Sequence, residues 1–174
     1  MRRLMLVALA ASFVAGCNKP KRVRAGALDE DDSALRSMVH VADDKSFLQL
    51  GNGFHALEGN AWRWTKGRFS VTLRPPLNAE KDGAYLVLRF SLAESVVSRV
   101  HSVRLAANVN GTPVEGQTYT KNGDYIYRRH VPASALKGGA VTAEFSLDHY
   151  LQAGQLEGRE LGLIVSVIGL EAVH

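Results

Sequence analysis

From Phe47 onward the apolar residues of this chain recur at every second position, and that period restricts the fold more than anything else in the sequence. In FSVTLR (69–74), Phe69, Val71 and Leu73 share one face. In AYLVLRFSL (84–92), Leu86, Leu88, Phe90 and Leu92 oppose Tyr85, Val87 and Arg89. VRLAANVNG (103–111) groups Val103, Leu105, Ala107 and Val109, and AVTAEFSLD (140–148) groups Val141, Ala143, Phe145 and Leu147. DYIYRRHV (124–131) sets Tyr125 and Tyr127 against Ile126. Side chains alternate across a strand and recur every 3.6 residues along a helix, so these runs read as strands. LGLIVSVIGLEAV (161–173) is apolar on both faces, as a strand covered on two sides must be. The segments between them, PPLNAEKDG, NGTPVEG, KNGD and KGG, are rich in turn formers. Only AESVVSRVHS (93–102) has a helical option, and its three valines weigh weakly against one. About eight strands in roughly 130 residues predict an all-β domain, a β-sandwich or jelly roll.

The first residues follow a different rule. MRRLMLVALAASFVAGC has two arginines, an apolar run from Leu4 to Val14, and small residues before Cys17. That is a secretory signal, too short to span a bilayer. Its end, VAGC, resembles the lipobox of bacterial lipoproteins. The resemblance implies cleavage before Cys17, with acyl chains added to the cysteine sulfur and to the new amino group. Each buried CH₂ contributes about 0.8 kcal/mol, and more than one chain makes a stable anchor. Cys17 is the only cysteine in the chain, so no internal disulfide can form. Asn18, rather than aspartate, follows it. This favours the outer membrane over retention at the inner one. Residues 1–16 are therefore the expected leader, 17–45 a lipidated cysteine with a flexible charged linker, and 46–174 the folded domain.

The linker carries Lys19, Lys21, Arg22 and Arg24, then an acidic run at Asp29–Asp32. Ser33 to Val41 has the makings of one or two helical turns. As a coil the spacer would span ~30 Å. Lys and Arg total 21 and Asp and Glu 17, a net charge of +4 that falls to +2 once Arg2 and Arg3 leave with the leader. No basic footprint for nucleic acid is present.

Motifs for chemistry are missing. The sequence holds no HExxH, no GxSxG, no phosphate loop and no paired metal-ligand spacing. The six histidines are scattered, and Asp148-His149-Tyr150 reads as a polar loop after a strand rather than a catalytic dyad. The expected protein is not an enzyme, and no cofactor is implied.

AWRWT (61–65) is the remaining candidate. On a strand Trp62 and Trp64 point one way and Arg63 and Thr65 the other. Facing in, the tryptophans would be a core wall, leaving Arg63 to water or to a carboxylate such as Glu58. Facing out, they would be a flat apolar platform the size of a sugar ring. Burial is the usual state of tryptophan, and a position near a strand end allows one ring in and one partly out. A second candidate surface is Tyr119 with the aromatic and basic run at 125–130, whose simpler reading is an exposed strand face.

GFHALEGNAWRWTKGRFSVTL, with the later ELGLIVSVIGLE, resembles a β-sandwich domain found in bacterial lipoproteins and attached to some envelope glycosyltransferases. The matching residues are Gly53, Phe54, Glu58, Trp62, Arg63, Trp64 and Thr65. Gly158-Arg159-Glu160-Leu161-Gly162 matches in part the step into that domain's last strand, with its aspartate replaced around Leu156-Glu157. The resemblance covers about residues 47–173 and implies a shape like carbohydrate-binding modules. It leaves two uses for Glu58, Arg63 and Arg159: a structural ion-pair network, or, with Trp62, Trp64 and His55, a binding cleft. Arginine forks suit hydroxyl, carboxylate or phosphate groups. The expected partners are the membrane through Cys17 and a glycan or polysaccharide; the competing class is a structural or assembly lipoprotein that binds another envelope protein.

Overall fold

The computed structural model describes residues 35–173. The leader, Cys17 and the linker up to residue 34 lie outside the described residues.

The strands are β1 (Met38–His40), β2 (Phe54–Glu58), β3 (Trp62–Thr65), β4 (Arg68–Leu73), β5 (Ala84–Leu92), β6 (Val103–Val109), β7 (Thr112–Tyr119), β8 (Gly123–Val131), β9 (Val141–Leu147) and β10 (Ile164–Ala172). They form two antiparallel sheets. The six-stranded sheet runs β2-β3-β10-β5-β8, with β1 also paired to β10; the four-stranded sheet runs β4-β9-β6-β7. The expected all-β sandwich is the observed one, with ten strands among the described residues where about eight were read.

The alternation places the core between the sheets. Phe69, Val71 and Leu73 of β4, Leu86, Leu88, Phe90 and Leu92 of β5, the β6 set and the β9 set are all buried. Phe69 stacks on Phe145 at 4.8 Å, and Phe54 meets Phe69 edge-on at 5.4 Å. β10 occupies the middle of its sheet and buries Val165, Val167, Ile168 and Leu170, as its two-faced apolar pattern requires. A helix does form at Glu94–Val100 (α2), so the valines did not prevent it. One buried valine, Val96, anchors it. A shorter helix, α1 (Ala79–Asp82), sits in what read as a spacer.

Two boundaries move. Ser33 to Val41 was open to a helical reading, but Met38–His40 is a strand paired with Gly169, Ile168 and Val167. Val39 and Val41 are buried, so the chain is folded well before residue 46. The alternation that drives this is only three residues long, with its partner far along the chain. NGTPVEG likewise lies largely within β7, an edge strand, where Pro113 is tolerated.

Candidate functional site

The hairpin of β2 and β3 turns through Gly59 and Asn60, both with positive φ (57° and 52°). Such turns favour Gly and Asn. Ala61 N–H donates to the Glu58 carbonyl at 3.1 Å and closes the turn. Glu58 then faces Trp62, and Leu57 faces Arg63. Gly59 has a second role: a methyl group there would meet the Trp62 ring at 2.5 Å. The ring thus lies across the turn and is 38% exposed. Trp64 packs partly buried against the core. Of the two rings, one supports the fold and one is half-presented to solvent.

Arg63 does not pair with Glu58; its partners are backbone carbonyls. Its Nε donates to the Val41 carbonyl at 3.1 Å and its Nη1 to the His55 carbonyl at 3.1 Å. One side chain therefore ties β2 to the segment that follows β1. Thr65 is fully buried, and its Oγ1 accepts from Leu163 N–H at 3.0 Å. Its own backbone bonds Leu163 and Gly162, which joins the strand to the approach of β10.

The carboxylate of Glu58 pairs instead with Arg159, at 2.7 Å from Oε1 to Nη1. Arg159 also bonds Glu157 through Nε. These bonds, Glu157 first and Glu58 second, raise the guanidinium's pKa above its ordinary value. His55 Nε2 lies 2.7 Å from the Glu160 carbonyl. A carbonyl only accepts, so Nε2 carries the proton. The fold thus gathers His55, Glu58, Trp62, Arg63, Trp64 and Arg159 into one corner, with residues 157–160 brought more than a hundred positions back to the hairpin. Most of the polar groups in this corner bond one another or the backbone.

The second sequence candidate is corrected. Tyr119 and Tyr127 are buried, not on an exposed strand face. Burial pushes both hydroxyls up to about 12. Tyr127 donates to the Glu115 carbonyl at 2.6 Å, and Phe90, Tyr119 and Tyr125 form an aromatic cluster. The alternate row does form an ordinary exposed face: Ile126, 60% exposed, His130, and Arg128, which lies over the Tyr85 ring and bonds Glu171 at 3.0 Å. Asp148 accepts from Arg104 N–H and lies 3.3 Å from its neighbour His149, as part of a loop. No group of three or more His, Cys, Asp or Glu among the described residues is placed to hold a metal ion.

No protein-family model matches the sequence, and no curated protein matches it. Among solved structures, a family 35 carbohydrate-binding module from Clostridium thermocellum aligns with 78% of this chain and 98% of its own, at 15% identity and a TM-score of 0.46. A family 36 carbohydrate-binding module in complex with calcium and xylotriose aligns with 77% of this chain and 98% of its own, at 10% identity and a TM-score of 0.42. A family GH115 4-O-methyl-α-glucuronidase with specificity for decorated arabinogalactans aligns with 65% of this chain, at 11% identity and a TM-score of 0.41. The chain spans 14% of that enzyme's length. The sandwich assignment for this chain rests on its own strand pairing.

Proposed function

We propose that this is a lipid-anchored, non-catalytic protein of the bacterial cell envelope whose β-sandwich binds a glycan. The anchor reading rests on the leader pattern and on Cys17 as the only cysteine. The glycan reading rests on Trp62: a ring held across a hairpin turn, 38% exposed, with the Glu58–Arg159 pair alongside. Axial C–H groups of a sugar pack on an aromatic face while polar neighbours take its hydroxyls. The surrounding bonds hold the ring's turn in one shape, which lowers the ordering cost of binding.

Two measurements test this. Membrane extraction should yield a protein whose mass includes acyl chains, and Cys17→Ser should release it to the soluble fraction; an unmodified, soluble wild type refutes the anchor. Intrinsic fluorescence from the two tryptophans, read during titration with envelope polysaccharides, should change saturably. Trp62→Ala should abolish the change while keeping the cooperative melt. A folded wild type that never responds refutes the glycan reading at this corner.

A further inference from the structure

The outer face of the four-stranded sheet carries a groove of about 400 Å³, within the usual range of ligand sites. Its rows follow from the strand register. Arg68 lies opposite Ser146, which lies opposite Ala106; Ser70 lies opposite Glu144, which lies opposite Asn108. These are the outward positions of strands whose inward positions form the core. Strand spacing puts neighbouring groups about 4.8 Å apart across the sheet and about 7 Å apart along it, the scale of a sugar ring and its hydroxyls.

The floor is small: Ser70, Ala106 and Ser146 leave the groove open between Arg68 and Glu144. Arg68 and Glu144 are both exposed, and neither side chain makes a hydrogen bond or ion pair with a described residue. Each stands diagonal to the other, yet they do not pair. Asn108 Oδ1 accepts from Gly111 N–H at 2.7 Å, which turns its amide so that Nδ2 stays free to donate.

We propose that this groove is a separate binding site for an uncharged glycan chain. It rests on the glycan reading above but not on Trp62. The chemistry selects the class. An open guanidinium donates and an open carboxylate accepts, so the pair matches a run of hydroxyls that do both. An anionic chain would face Glu144, and a cationic one Arg68. The groove's outward side chains include no exposed aromatic or large aliphatic group, the anchors a protein partner would use.

The test is calorimetric titration of the purified full chain with cellotetraose, xylotetraose and tetra-N-acetylchitotetraose, and with tetragalacturonate as the anionic probe. Wild type should bind at least one neutral probe. Glu144→Gln and Arg68→Met should each weaken it about tenfold, the loss of one charged hydrogen bond, with an unchanged melt. In a Trp62→Ala background, where the hairpin corner no longer binds, neutral-probe binding should persist, and adding Ala106→Trp, which fills the floor, should remove it. Neutral binding that is lost only in Trp62→Ala overturns the groove and leaves the hairpin corner standing. No neutral binding by wild type, or tetragalacturonate binding that Glu144→Gln strengthens, overturns the proposed ligand class.

Discussion

The hairpin corner and the outer face of the four-stranded sheet both display charge, and they dispose of it in opposite ways. At the corner Arg63 donates hydrogen bonds to two backbone carbonyls, and Arg159 donates to Glu58 and Glu157. On the sheet face Arg68 and Glu144 have no such partner among the described residues, although they stand on adjacent strands. Charges that satisfy one another hold a fold in one shape; charges left open must be satisfied by water or by whatever displaces it. At the corner Trp62 is presented beside charges that already satisfy one another. The sheet face has the more open recognition chemistry.

The sharpest break of this contrast is Arg63→Met. It strips donors from two carbonyls, and urea denaturation should show a loss of about 3 kcal/mol. A loss near zero would mean that Arg63 is not a clamp. Thr65→Val, which leaves the buried Leu163 N–H without its acceptor, should cost about 2 kcal/mol in the same experiment. Arg159→Ala removes a pair that is more than a third exposed, so its cost should stay under about 1 kcal/mol and shrink as salt is added. A larger, salt-insensitive loss would promote the pair to a structural lock. The smallest effect belongs to the open face. Arg68→Met and Glu144→Gln should change stability by less than about 0.5 kcal/mol. Destabilisation on the scale of Arg63→Met would erase the distinction between the two regions.

The sequence shows the strands well and the site unevenly. β4, β5, β6 and β9 are legible because one face is buried along its full length, β10 because most of its length is buried, and β8, itself an edge strand, because Tyr125, Tyr127 and Val131 keep the period. β1 is three residues long, and β2 and β7 are edge strands with fewer buried positions, so their period is weak. Within AWRWT the alternation sets the tryptophans against Arg63 and Thr65, yet it cannot show that Arg63 reaches two carbonyls. That partnership depends on β1 lying beside β10. Glu58 and Arg159 both stood among the candidate residues, but 101 positions separate them, and only the fold pairs them. The groove escapes notice for another reason. Arg68, Ser70, Asn108, Glu144 and Ser146 sit at outward positions of alternating strands, where polar residues are the rule. Nothing in the pattern distinguishes a solvated face from a shaped one until the register sets the strands side by side.

The attachment of β1 has a mechanical consequence. A pull on Leu35 meets first the bonds of Arg36 to Arg74 and Gln49, then those that hold β1 to β10, the middle strand of the larger sheet. The load then spreads to β5 on one side and, through the Val41 carbonyl and Arg63, to the hairpin on the other. A load applied at this end of the described residues is thus shared across the larger sheet, so the surfaces the domain offers keep their form.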